Sequence, residues 1–215
     1  MDNIFFSIPL LLQILDLFGV MVFAVTGALK AIQYKMDIVG IIILSSSTGL
    51  AGGLIRDILL DRLPPKIVSD PYYLTIAVVT GVIVFFLHPF FKEREILFLK
   101  FDAIGLGVFS IIGSSIAYET VGLNFLAMAI SGIFTAIGGG IIRDVFVKEI
   151  PLVFVKELYA SASFLGIIVF FILILLHFNY YISMIVCIAI ITLFRLLAMK
   201  YNWNLPKTYL RKKRN

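Results

Sequence analysis

The 215-residue sequence is short of the residues on which soluble chemistry relies. It has one cysteine, Cys187, set in an apolar run, which excludes intramolecular disulfides and cysteine-based zinc clusters. Its two histidines, His88 and His177, stand alone at the ends of apolar stretches. Neither has Cys, Asp or Glu at ligand spacing, so no resident metal is expected, only transient monovalent cations. No Ser/His/Asp or Cys/His set shares a face, and neither an enzyme nor a cofactor is indicated. Charged residues are only 14% of the chain, against roughly 25% in a soluble domain. The opening Met1-Asp2-Asn3 is acidic where a secretory signal is positive, and no small-residue cleavage site follows. It is expected to lead into a retained helix.

Apolar residues fill the gap: 61% of the chain is hydrophobic and its mean hydropathy is +1.07. One water-soluble core of this size cannot hide so much apolar surface, so lipid must cover the rest. Seven apolar stretches, 9–29, 38–55, 72–87, 96–117, 123–142, 158–178 and 180–199, read as spans, since a crossing helix needs ~20 residues. The third is short, and the sixth and seventh meet at a tight turn around His177, Phe178 and Asn179. The runs lack the alternation of a transmembrane barrel. The expected fold is an all-α integral membrane protein of seven transmembrane helices forming a single domain.

A net charge of +5 and a pI of about 9.3 do not point to nucleic acid, because lysine and arginine sit mostly between the apolar runs. With the N-terminus outside, the inner side holds Lys30, Lys35, Lys92, Arg94, Lys100, Arg143, Lys148, Lys156, Lys200, Lys207 and the Arg211-Lys212-Lys213-Arg214 tail. The outer side holds Arg56, Arg62 and Lys66. The positive-inside rule then gives a cell-membrane protein with its N-terminus outside and C-terminus in the cytoplasm. The basic segment 201–215, beyond Trp203, is expected to meet anionic lipid.

An internal repeat organises the chain. Asp16, Gly19, Phe23 and Gly27 recur as Asp102, Gly105, Phe109 and Gly113. TGLAGGLIRD at 48–57 recurs as TAIGGGIIRD at 135–144, Pro64 as Pro151 and Tyr72 as Tyr159. Repeat one covers 9–88 and repeat two 96–178, with a seventh helix at 180–200 outside both. Three spans per copy force the second copy into the membrane inverted.

The duplicated motif carries most of the polar chemistry. In the second span, Ser45, Ser46, Ser47, Thr48 and Gly49 precede Gly52 and Gly53; in the fifth, Thr135 precedes Gly138, Gly139 and Gly140. Paired glycines weaken a helix, and bending or local unwinding is expected. Interrupted spans at matching positions point to a solute pathway; glycines that only let helices pack closely are the other reading. Arg56-Asp57 and Arg143-Asp144 follow the glycines, each carboxylate able to offset its arginine. The alternative is an interfacial anchor with a snorkelling arginine. Asp16 lies inside the first span, where an unpaired carboxylate is costly and marks a functional or ion-paired position. Asp102, beside Lys100, reads as a helix cap. Lys30 and Arg195 read as snorkelling ends, although Lys30 could reach a cavity as a partner charge.

With GGLIRD and GGIIRD, an inverted three-plus-three repeat and a seventh helix, the sequence resembles the prokaryotic branch of the trimeric intracellular cation (TRIC) channels over nearly its whole length. The resemblance implies a homotrimer with a potassium-permeable pore in every subunit, lined by glycine-kinked second and fifth helices. It gives Gly52, Gly53, Arg56, Gly139, Gly140 and Arg143 the kink and pore-flanking positions. Animal members carry a lysine-bearing motif associated with phosphoinositides, where Arg-Asp stands here. The same prokaryotic sequences are also grouped as possible glycine transporters. The residues therefore leave three readings: a potassium- or sodium-conducting channel, a carrier of a small zwitterion such as glycine, and a scaffold whose glycines only pack helices.

Overall fold

The computed structural model describes residues 10–91, 94–155, 158–201 and 203. The basic tail beyond Trp203, with Lys207 and Arg211–Arg214, and Lys92 and Lys156 lie outside the described residues. The described residues form α1 (Leu10–Gln33), α2 (Ile38–Leu59), α3 (Lys66–Ser69), α4 (Pro71–Leu87), α5 (Arg94–Val121), α6 (Phe125–Phe146), α7 (Leu152–Val155), α8 (Ala160–Leu175) and α9 (Tyr180–Lys200), with a 3-10 turn at His88–Phe90. No strand occurs among them.

Six helices are long and apolar enough to cross a membrane, the third extending as Pro71–Phe90; α8 is a shorter apolar helix of 16 residues. At 1.5 Å per residue α8 is about 24 Å long, under the roughly 30 Å of a hydrocarbon core. The third stretch is short as an α-helix, 17 residues, and reaches 20 only with the 3-10 turn; the sixth is shorter still. Asp70 caps the start of the third, accepting from the Tyr72 amide at 3.1 Å, and Pro71 suits the first helical turn; its added length comes from the 3-10 turn at His88–Phe90.

Equivalent caps start the motif-bearing helices. Asp37 accepts from the Gly40 amide at 2.7 Å, and Asn124 from the Ala127 amide at 3.1 Å. Two residues beyond the end of each comes a residue with positive φ, Asp61 at 53° and Lys148 at 60°.

Within the first half α1, α2 and α4 pack on one another; within the second, α5, α6 and α8 do the same, with α9 against α5 and α8. The halves meet through α1 on α5 and α2 on α6. Each repeat thus presents the same helices to its copy. The α1–α5 contact centres on Phe23 stacked on Phe109, ring centroids 5.1 Å apart, with Gly19 beneath Phe109 and Gly105 beneath Phe23.

Of the bending or local unwinding expected at the glycines, unwinding does not occur. Both α2 and α6 run as continuous α-helix through Gly52-Gly53 and Gly138–Gly140. A Cβ on Gly52 would lie 2.2 Å from the Thr135 carbonyl oxygen, and one on Gly139 2.3 Å from that of Thr48. These glycines allow two backbones to touch, which is how small residues serve membrane helices. Gly52→Ala or Gly139→Ala should therefore destabilise the protein by about 1–3 kcal/mol, the range for overpacking a tight contact, seen as a lower Tm in detergent. An unchanged Tm would mean the backbones are free to part.

Candidate functional site: two buried aspartate–arginine–aspartate clusters

Arg56 and Arg143 are fully buried, so neither snorkels. Arg56 Nε donates to Asp57 Oδ1 at 2.9 Å, and its Nη1 donates to Asp16 Oδ1 at 2.9 Å. Arg143 repeats this with Asp144 Oδ1 at 2.8 Å and Asp102 Oδ1 at 2.8 Å. An isolated charge in such surroundings is very costly, and only close opposite charges with further hydrogen bonds offset the loss of water.

Those further bonds are also duplicated. The Tyr73 hydroxyl donates to Asp16 Oδ2 at 3.0 Å, and buried Tyr159 is the corresponding tyrosine beside Asp102. Asp57 Oδ2 accepts from the Lys66 amide and Asp144 Oδ2 from the Leu152 amide, both at 2.9 Å. Each cluster therefore ties the long helices to the start of the short helix after the glycine helix, α3 in the first half and α7 in the second.

Several sequence readings are corrected here. Asp102 is no cap: α5 begins at Arg94, two turns earlier, and Asp102 is buried against Arg143. The structural counterpart of Tyr159 is Tyr73, not Tyr72. One residue rotates a helix by about 100°, leaving Tyr72 exposed and Tyr73 buried. Lys30 does not snorkel but is buried with its Nζ 2.6 Å from Glu149 Oε2. Arg195 is also buried, its guanidinium 4.9 Å from the centre of the Tyr159 ring.

The hydroxyls near the glycines serve the helices. Ser45 Oγ donates to the carbonyls of Ala24 at 3.0 Å or Ala77 at 3.1 Å, Thr48 Oγ1 to Leu44 at 2.6 Å and Thr135 Oγ1 to Ser131 at 2.6 Å. Ser47 Oγ bonds to the Ile43 carbonyl at 2.8 Å, whereas Ser46 Oγ is buried without a partner. Gly49 packs on Val20 and Gly138 on Ile55.

The α6 end carries additions that the sequence reading missed. Arg143 Nη1 also donates to Thr26 Oγ1 at 3.0 Å, and its guanidinium lies 4.5 Å from the centre of the Phe98 ring. Lys30 Nζ sits 5.5 Å from the same ring. Glu149 accepts from both Lys30 and the Tyr34 hydroxyl. Glu149 lies two residues before Pro151, in the loop after a duplicated helix, and that position was its only sequence signal. Among the described residues no group of three or more His, Cys, Asp or Glu could hold a metal ion.

Loss of one buried partner should be costly. Asp16→Asn and Asp102→Asn each weaken a charge-assisted hydrogen bond to a guanidinium that keeps its other carboxylate and are expected to cost about 1.5–3 kcal/mol, whereas Lys66→Ala should cost under about 1 kcal/mol as a half-exposed pair. Thermal melts in detergent check the ranking. At Glu149, partial burial pushes the carboxyl up, but the hydrogen bonds from Lys30 and Tyr34 prevail and hold it below its usual value of 4.5. A depressed carboxyl adds stability above that value and loses it as pH falls through the lower folded one. Melts below pH 4.5 should show a wild-type loss that Glu149→Gln lacks; parallel profiles would remove Glu149 from the acid response.

A sequence-family model described as "Glycine transporter" matches residues 13–89 and again 99–175. The UPF0126 membrane protein YvgT of Bacillus subtilis is 33% identical over 90% of this chain and 95% of its own length. The UPF0126 inner membrane protein YadS of Escherichia coli is 39% identical over 72% of this chain and 75% of its own. A Vibrio cholerae relative is 40% identical over 73% of this chain, the match spanning 65% of that protein. Among solved structures, the TRIC orthologue from Rhodobacter sphaeroides is 32% identical with a TM-score of 0.86, covering 90% of this chain and 99% of that one. Another TRIC cation channel is 36% identical with a TM-score of 0.82, over 93% and 98%. The two matches to one sequence-family model follow the duplication seen in the paired clusters, and the chain belongs to this family of UPF0126 membrane proteins, the prokaryotic branch of the TRIC channels.

Proposed function

We propose that this protein is a monovalent-cation channel, permeable to potassium and sodium, with its path inside each subunit along α2 and α6. The observation that carries the reading is the pair of buried clusters in which one guanidinium faces two carboxylates. Counted alone, each such trio carries a formal charge of −1 near one end of the α2–α6 contact, which Arg62 at 3.7 Å from Asp57 offsets at the Arg56 trio. In a poorly polarisable interior such a field favours cations strongly over anions.

Between the clusters, the carbonyl and hydroxyl oxygens of Ser45, Ser46, Ser47, Thr48, Gly49, Gly52, Gly53, Thr135, Gly138, Gly139 and Gly140 can replace part of an ion's hydration, as channel filters do. Arg56, Asp57, Arg143 and Asp144 flank that segment, with Asp16, Asp102 and Lys30 as partner charges. Because α2 and α6 touch backbone to backbone, conduction requires them to separate. The likeness to TRIC channels supports the cation path and a homotrimer. The charge pattern supports a cell-membrane topology with the N-terminus outside.

The description of the family model favours one second reading, a carrier of a small zwitterion such as glycine. Planar-bilayer recording of the purified protein under a potassium chloride gradient separates them. The channel gives discrete current steps with a reversal potential near that of potassium; saturable glycine counterflow without steps would establish the carrier. Arg56→Ala and Arg143→Ala should alter conductance more than Arg62→Ala, and equal effects would remove the two arginines from the path.

Buried Cys187 makes topology easy to read. In a Cys187→Ala background, an impermeant thiol reagent applied outside cells should label Asp61→Cys and spare Lys35→Cys. The reverse pattern would invert the orientation.

A further inference from the structure

The turns that follow the two glycine helices leave large apolar side chains exposed. In the first copy Leu63 and Val68 are 67% and 72% exposed; in the second Ile150 and Phe154 are 68% and 72% exposed. Leu63 and Ile150 stand directly before the duplicated proline, Pro64 or Pro151. Matching positions thus hold aliphatic side chains outside the fold to the same degree. They continue the exposed apolar surface of the spans, Ile58, Leu59 and Tyr72 in the first copy and Val145 and Phe146 in the second.

The backbone of both turns suits surroundings poor in water. A helix leaves its first amides without an intrahelical acceptor, and at membrane depth each such donor must find a partner in the protein. Pro64, Pro65 and Pro151 have no N–H to satisfy. The Lys66 amide, first in α3, donates to Asp57 Oδ2, and the Leu152 amide, first in α7, donates to Asp144 Oδ2, both at 2.9 Å. Further along, the Val68 amide donates to the Pro65 carbonyl and the Phe154 amide to the Pro151 carbonyl, both at 2.9 Å. Each aspartate therefore spends one oxygen on its arginine and the other on a donor that acyl chains could not satisfy. In bulk water that second bond would be dispensable.

Polar groups edge the same turns. Asp61 and Lys148 are exposed at another pair of matching positions, and the half-exposed Lys66 places its Nζ 4.0 Å from Asp70, a stem long enough to lift its charge towards headgroups. An apolar body with a charged edge fits the boundary between acyl chains and headgroups. Because the repeat is inverted, one turn meets each leaflet. A single protein partner would have to stand on both sides of the membrane. Lipid already does.

We propose that α3 and α7, with Leu63 and Ile150 before them, are interfacial anchors whose ligand is the headgroup–acyl boundary, one anchor in each leaflet. Each anchor shares a carboxylate with a buried cluster, so lipid holds Asp57 and Asp144 at a fixed depth. The assignment is independent of what the protein conducts.

The test uses Leu63→Cys, Ile150→Cys, Asp61→Cys and Lys148→Cys, each in a Cys187→Ala background, labelled with a nitroxide in palmitoyl-oleoyl phosphatidylcholine liposomes. Oxygen, enriched among acyl chains, and a water-soluble nickel chelate are compared as relaxants. The oxygen-to-nickel ratio should be severalfold higher at 63 and 150 than at 61 and 148. Equal ratios at the two pairs would show that the apolar side chains do not seek lipid. Protection of 63 and 150 from both relaxants would place them under a second copy of the chain, and a high ratio in one copy alone would break the two-leaflet arrangement. Each of these three results overturns the anchors.

Discussion

A guanidinium held out of water between two carboxylates is the constraint around which the chain is arranged. Each ion loses several kcal/mol of hydration on burial, and close partners must supply it again. Arg56 finds one partner next to it in sequence and the other on α1. Because Asp16 also takes the Tyr73 hydroxyl and Asp57 the Lys66 amide, none of α1, α2, α4 or the intervening loop can shift without exposing an unpaired charge. The second half repeats the arrangement with α5, α6, α8 and the loop before α7. Position is thus fixed by charge satisfaction where lipid, as apolar as the side chains facing it, gives helix packing little direction.

The glycine pairs settle how the two rigid halves meet. Unwound backbone at membrane depth must find new hydrogen-bond partners, whereas a continuous helix keeps its own. α2 and α6 stay helical and use Gly52 and Gly139 to bring backbone against backbone. Phe23 on Phe109 does the equivalent for α1 and α5 with aromatic faces. Both contacts join a helix to its own repeat copy, so one sequence solution serves both sides of the interface.

Much of this was legible from residues alone. Seven apolar stretches, the duplication, and the isolation of Asp16 within a span all followed from hydropathy and the cost of a buried carboxylate. Asp102 was misread although its stretch already began at residue 96, because Lys100 two residues before it made the position look like a helix end at the membrane surface. Tyr72 was chosen over Tyr73 because the two copies differ by a one-residue slip, and adjacent tyrosines are separable only by the face each presents. Unwinding was inferred from intrinsic helix propensity, which tertiary packing overrides. Thr26, Phe98 and Glu149 have no equivalents of their kind in the other repeat, so duplication could not flag them.

Those unmatched residues make the two ends unequal. Arg62 and Glu149 occupy corresponding turns, their amides donating to the carbonyls of Asp57 at 2.8 Å and Asp144 at 2.9 Å. At the first, Arg62 Nη1 approaches Asp57 to 3.7 Å and cancels the excess charge of the cluster. At the second, Glu149 is met by Lys30, and the formal −1 of the Arg143 cluster stands. Phe98 lies under both Lys30 and Arg143, and Thr26 adds a contact from α1 to Arg143, so this end is also the more heavily cross-linked. A cation in the proposed path would meet a nearly neutral cluster near Arg56 and a negative, tightly tied one near Arg143. Direction in an otherwise symmetric scaffold therefore arises from a few side chains around a shared ionic frame.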